Sequence, residues 1–143
     1  MTNIEKNRVI VVTLLRVGNK MNEELNFFIK QFGISLPQFN VLRILRGQKG
    51  KAANLSTINE HMIHKMSNTT RLIDKLIEKE YVQRTICANN RRKIELFITP
   101  NGLQLLVDID NKLDRKEAQL LEEIDPNEKD LLTSLLSKLI QKP

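Results

Sequence analysis

Lys65, Ser67, Asn68, Thr70, Arg71 and Lys75 stand close together on a segment whose apolar positions recur at steps of three and four. On a helix with that spacing they share a polar front. An asparagine amide can make two hydrogen bonds to an adenine edge, the hydroxyls of Ser67 and Thr70 can donate or accept, and Arg71 can reach guanine or a phosphate. Lys65 and Lys75 suit backbone phosphates. A second set follows in Arg84, Asn90, Arg91, Arg92 and Lys93, with the arginine pair beside an Asn89-Asn90 turn. Arginines at a hairpin tip can enter a narrow minor groove, where the potential is most negative, while Arg84 and Lys93 can add phosphate contacts. The chemistry implied is recognition of duplex DNA. Each set has a plainer reading, as a solvated helix face or a loop kept soluble, and it is their joint order and spacing that favours the DNA reading.

The charge is regional. The net value is +6, yet between Val41 and Lys93 there are 12 Lys and Arg against 4 Asp and Glu. The segment from Asp108 to Asp130 holds nine acids against Lys112, Arg115, Lys116 and Lys129. Such asymmetry offers one face to a polyanion and turns another away from it. A single cysteine, Cys87, excludes an internal disulfide framework and a multi-cysteine zinc cage, and suits a reducing compartment. The apolar run after Arg8 is broken by Arg16 and Lys20, too soon for a signal peptide or membrane span, so a soluble cytoplasmic protein is expected, with no membrane partner.

There is no P-loop, no nucleophile elbow and no metal-binding pair with a general base, so no enzyme activity and no cofactor are expected. His61 and His64 lack a completing ligand beyond Glu60 and read as turn-lining or phosphate-contacting residues rather than a metal site. Cys87 reads as an ordinary strand residue, since neither a helix N-terminus nor a second thiol is at hand to activate or resolve it. Aromatics make up 4% of the chain, and Phe27, Phe28, Phe32, Phe39 and Phe97 fall mostly where a core needs them. No platform remains for stacking single-stranded bases.

The elements that must position these groups can be taken in chain order. Ile10, Leu14, Val17, Met21, Leu25, Phe28 and Phe32 form one stripe on a helix of about seven turns, and Gly33 supplies its stop. The β-branched run from Val9 to Thr13 favours a strand locally, but so long a helical period overrides it. This helix exceeds what one small core can cover, which points to a second copy of the chain. Ser35-Leu36-Pro37-Gln38 is a capping box opening a second helix that ends at Gly47. A short third helix from Asn54 or Ser56 buries Ile58 and Met62. A fourth, starting at Met66, buries Thr69, Leu72, Ile73, Leu76 and Ile77. The period then becomes two in Arg84–Cys87 and Lys93–Thr99, a hairpin tipped by Asn89-Asn90-Arg91-Arg92. Thr99-Pro100 opens a fifth helix with Leu103, Leu106, Ile109, Leu113, Leu120 and Ile124 on its stripe, and Asp125-Pro126-Asn127-Glu128 opens an apolar last helix.

From about Gly33 to Leu106 the chain resembles the MarR (multiple-antibiotic-resistance regulator) family. The likeness rests on Ser35-Leu36-Pro37-Gln38-Phe39, on Thr70-Arg71-Leu72-Ile73-Asp74-Lys75-Leu76, on Asn90-Arg91-Arg92, and on Ile98-Thr99-Pro100-Asn101-Gly102. The resemblance implies a mainly α fold with a small β-hairpin wing, a winged helix-turn-helix with about six helices. It also implies a single domain over 1–143: a DNA-binding lobe at 34–100, and dimerisation helices at 1–33 and 101–143. Such a homodimer would bind pseudo-palindromic operators, act as a repressor and be released by a small anionic aromatic ligand or an oxidant. Met21, Phe28, Phe39 and Leu103 are candidates to line a ligand cleft, although core packing explains them equally well. Arg16 is a candidate anchor for an anion, although a solvated position explains it better. The chain departs from the family in carrying Asn90 where an acid usually braces the wing, which predicts a looser wing. Glu80 and Ile63 stand where glycine is common, which predicts a different end to the recognition helix and a reshaped turn before it. The rival reading is a winged helix that docks another protein and does not read DNA.

Overall fold

The computed structural model describes residues 1–63, 68–87 and 89–140, excepting the side chains of Cys87, Asn90, Arg91 and Arg92. Along the chain lie α1 (Asn3–Lys30), α2 (Leu36–Gly47), α3 (Leu55–His61), α4 (Thr69–Glu78), β1 (Val82–Cys87), β2 (Asn90–Ile98), α5 (Pro100–Leu120) and α6 (Pro126–Ile140). The mainly helical winged helix-turn-helix is therefore the observed architecture, with β1 and β2 antiparallel.

The first helix begins earlier than its stripe suggested. The Thr2 hydroxyl accepts from the Glu5 amide and the Glu5 carboxylate accepts from the Thr2 amide, a capping box that starts the helix at Asn3. Val9 to Thr13 are helical, as the long period required. The helix ends at Lys30, and Gly33, at φ 78, turns the chain toward α2. Its burial is one-ended. Ile29 is fully buried, while residues 1–20 are exposed throughout, with Ile10 at 54% and Leu15 at 66%. Phe27 is exposed at 81%, which corrects its assignment to the core.

The capping box at α2 is as read: Ser35 Oγ accepts from the Gln38 amide at 3.2 Å and Gln38 Oε1 accepts from the Ser35 amide at 2.9 Å. Phe39, Val41, Leu42 and Leu45 are buried along α2. Lys49, at φ 54, and Gly50, at φ 84, then make the turn to α3, which Asn54 caps by accepting from the Thr57 amide. Just before that cap, Ala53 exchanges two backbone hydrogen bonds with Leu96 of β2, at 3.1 and 2.8 Å. The α2–α3 connection is thereby pinned to the wing.

The recognition helix does not end as the missing glycine suggested. The Tyr81 amide donates to the Leu76 carbonyl and the Glu80 amide to the Ile77 carbonyl, the paired bonds of a Schellman cap. Glu80 takes the left-handed position at φ 65 that glycine usually fills. The turn has the geometry that glycine favours, and Glu80 bears the steric cost. Thr99 then ties three elements together. Its hydroxyl donates to the Glu80 carbonyl at 2.6 Å and accepts from the Gly102 amide at 3.1 Å, and its own amide donates to the Tyr81 carbonyl. Gly102 is required by this junction, because a Cβ there would lie 2.5 Å from the Tyr81 carbonyl oxygen. The inward face of α5 consequently starts at Gly102 and continues through Leu106 and Ile109, both fully buried, while Leu103, expected on the buried stripe, is 41% exposed and lies off that face.

The chain divides into two compact units, Met1–Asn111 and Lys112–Pro143. In the second, Asp125 and Glu128 form the predicted capping box, and the Glu128 amide holds the Asp125 carboxyl below its ordinary pKa. Along α6, Leu131, Leu132, Leu135, Leu139 and Ile140 are exposed.

Replacing Glu80 with Gly should relieve the left-handed strain and raise stability by about 0.5–1 kcal/mol, even after the added freedom of the unfolded chain is counted. Urea denaturation measures this directly. A lower midpoint for Glu80→Gly would show that the glutamate side chain stabilises the turn by more than the strain costs.

Candidate nucleic-acid interface

The third and fourth helices form the two arms of the helix-turn-helix, and a side-chain bond holds them in register. Thr69, 4% exposed at the start of α4, donates from its hydroxyl to Asn59 Oδ1 on α3 at 2.7 Å. Ile73 and Leu76 complete the buried face of α4. Thr70, Arg71 and Lys75 are consequently left exposed on the opposite side. Asn68 is the N-cap of α4 rather than a first-turn residue, with φ −114, ψ 29 and no capping bond from its side chain. The helix therefore starts later than Met66, and Asn68 stands exposed at its tip. Lys65 and Ser67 lie outside the described residues, as does His64.

The wing departs from the predicted hairpin in its register. Ile86 pairs with Ile94 and Cys87 with Asn90, so Arg91, Arg92 and Lys93 fall on β2 with no residue opposite them on β1. A bulge of this kind re-aims the strand that carries it. The turn lies between Cys87 and Asn90, and Asn90 opens β2 instead of occupying the turn. Lys93 is exposed. The side chains of Cys87, Asn90, Arg91 and Arg92, and with them the expected loosening of the wing and the question of thiol reactivity, lie outside what the structure describes. Ile63 is exposed at 72% in the turn where glycine was expected.

One connection was not anticipated. Arg84 of β1 forms an ion pair with Asp74 of α4, Nη1 to Oδ1 at 3.3 Å, with each side chain about half exposed. Asp74 therefore links the recognition helix to the wing and draws Arg84, assigned from sequence to phosphate, toward α4. An exposed pair of this sort contributes roughly 0–1 kcal/mol, so it orients more than it stabilises. Only the matched motif drew attention to Asp74; periodicity gave it no role.

The five candidate cleft residues do not share one environment. Phe39 is in the core at 2% exposure, with the Arg43 guanidinium 5.3 Å above its ring. Phe28 is half-buried against Phe32, Met21 is half-buried, and Leu103 and Arg16 are exposed. Core packing accounts for Phe39, the plainer of its two readings. Among the described residues no group of three His, Cys, Asp or Glu could hold a metal ion, and no helix is long and apolar enough to cross a membrane.

Residues 34–94 match the family model for the MarR family. The chain is also 30% identical over 111 residues to the uncharacterized HTH-type transcriptional regulator YfiV of Bacillus subtilis, covering 76% of this chain and 68% of that protein. It belongs to the MarR family. Solved structures agree on the fold. BpsR of Bordetella bronchiseptica, whose DNA binding is regulated by 6-hydroxynicotinic acid, superposes with a TM-score of 0.82 at 20% identity, over 92% of this chain and 98% of that one. A cysteine-to-serine mutant of MarR from E. coli complexed with operator DNA gives a TM-score of 0.82 at 19% identity, over 97% and 99%. This MarR-family chain is thus a transcriptional regulator, not an enzyme.

Thr69→Val should remove the bond between α3 and α4, leave the Asn59 carbonyl short of a donor and lower stability by about 1–2 kcal/mol. Thermal denaturation with calorimetry checks this. An unchanged transition would mean that the hydroxyl does not hold the two arms together.

Proposed function

We propose that this protein is a homodimeric, sequence-specific reader of duplex DNA that represses transcription by occupying pseudo-palindromic operators. The observation that carries the reading is the exposed face of α4. Thr70, Arg71 and Lys75 are exposed on it, Asn68 stands at its N-terminal tip, and the part-buried Thr69–Asn59 bond fixes the helix beneath them. In this reading α4 enters the major groove, Asn68, Thr70 and Arg71 face base edges, and Lys65, Ser67 and Lys75 complete the recognition segment. Arg91 and Arg92 enter the adjacent minor groove, with Asn90, Lys93 and Arg84 beside them.

Residues 34–100 act as the reading lobe, and residues 1–33 and 101–143 as dimerisation helices. Support comes from apolar exposure at both ends: Val9, Ile10, Val11, Leu14 and Leu15 on α1, and Leu131, Leu135 and Leu139 on α6. A surface of that size on two helices is costly to leave in water. Release by a small anionic aromatic ligand is the regulatory part of the proposal. It draws on the likeness to BpsR, and requires that the ligand bind the DNA-incompetent arrangement of the lobes more tightly than the competent one.

Selection of bound fragments from a random duplex pool tests the reading, with a two-fold-related consensus expected. Against that consensus, log affinity should fall steeply with log salt, and Arg91→Ala with Arg92→Ala should reduce the slope by roughly two. Absence of duplex binding even at low salt would favour a protein-docking role. Removing the residues after Asp125 should yield monomers or insoluble protein in sedimentation; an intact soluble dimer would exclude α6 from the interface.

A further inference from the structure

Arg71, Lys75 and Lys79 follow one another at steps of four, so a row of cations runs along α4 to its C-terminal end. There the row enters an open groove of about 660 Å³. Its walls are the end of α1 with the turn after it (Lys30, Gly33, Ile34), the first turn of α2 (Ser35, Gln38) and the outer side of α4 (Leu72, Lys75, Glu78, Lys79). Three ammonium groups face it against the single carboxylate of Glu78. Among the described residues neither Lys30 nor Lys75 is in an ion pair, whereas Lys79 donates to the Gly33 carbonyl.

We infer that this groove holds the DNA backbone beside the site that α4 reads, with Lys30, on the helix otherwise assigned to dimerisation, contributing a phosphate contact. The inference rests on the DNA reading above and extends its footprint. Distance favours it: the two helical turns from Arg71 to Lys79 span about 12 Å, which is also about the width of the major groove. With Arg71 at the bases, Lys79 and Lys30 arrive where the groove wall carries its phosphates. The floor of the groove favours a backbone over a small molecule. Ser35 and Gln38 satisfy one another's amides, and Ile34 and Leu72 present hydrocarbon. The groove therefore offers chiefly a cationic rim over hydrocarbon, which suits a diffuse polyanion.

The test measures full-length protein on operator and random duplexes across a salt series, with hydroxyl-radical footprinting. Lys30→Gln should weaken both duplexes several-fold at low salt, reduce the log–log slope by about one and remove protection at the outermost phosphates of each half-site. Lys30→Arg should keep the wild-type slope. Glu78→Gln should tighten both duplexes, a gain that a merely damaged fold does not produce. Unchanged slope and footprint for Lys30→Gln, with wild-type binding intact, would overturn the inference and leave the DNA reading standing. Failure of the wild-type protein to bind any duplex would overturn both.

Discussion

The hydroxyl of Thr99 is where the end of α4, the end of β2 and the start of α5 are joined. It donates to the carbonyl of Glu80, which ends the recognition helix, and accepts from the amide of Gly102, which starts α5. The Thr99 amide meets the Tyr81 carbonyl, and the missing Cβ at Gly102 lets α5 close to within contact of that same carbonyl. Three elements thus meet at a few backbone groups, all of them paired. Buried or crowded backbone groups tolerate few alternative arrangements, so the direction of α4 relative to α5 is set here with little slack. The strained φ of Glu80 is the cost of ending α4 in a Schellman turn without glycine. The turn holds Glu80 in this conformation because the surrounding bonds over-determine it.

From that junction the lobe is tied outward by contacts of different strength. The Ala53–Leu96 bridge pins the start of α3 to the sheet, and the part-buried Thr69–Asn59 bond joins α4 to α3. The Asp74–Arg84 and Arg46–Asp110 pairs are part-exposed, at 3.3 and 2.6 Å. Screening leaves such pairs a small net effect, and their partners can be exchanged. The rigid frame is therefore hydrogen-bonded backbone and core, while the charges on its surface stay available. A polyanion approaching α4 can compete with Asp74 for Arg84 without disturbing the frame beneath.

Much of this was legible because the signals were local. The Ser35–Gln38 and Asp125–Glu128 capping boxes, the stop at Gly33 and the switch from helical period to alternation each depend on residues within a turn of one another, and each appears where it was read. What was missed is non-local. The Ala53–Leu96 bridge joins residues far apart in sequence and the Asp74–Arg84 pair joins two different elements, and no spacing rule announces either. The start of α4 was placed too early because Met66 extends the apolar period, although Asn68 is the better cap. The wing's register was misjudged because Asn89-Asn90 is good turn chemistry, and nothing in the composition of Arg91-Arg92-Lys93 signals a bulge. Among the predicted contact residues, Thr70, Arg71 and Lys75 share the exposed face, with Asn68 at its tip, while Leu103 and Phe39 part company because Gly102 turns α5 and the core claims the ring.

The exposed apolar halves of α1 and α6 give the junction at Thr99 its wider consequence. If those helices are covered by a second copy, each lobe is carried on a dimer body through α5 and through the end of α1. The distance between two recognition helices then depends on small rotations at these two attachments. A DNA site with fixed half-site spacing selects one such rotation, and anything that binds a different rotation more tightly opposes it by linkage. Regulation in this arrangement does not require α4 itself to change. The Arg46–Asp110 pair links α2 to α5 and the Lys79–Gly33 bond links the end of α4 to the end of α1, so each attachment carries a polar contact that a modest rotation would break or remake. A loose lobe would absorb the rotation, whereas one braced through Leu96 and Thr69 would pass it on to the exposed face of α4.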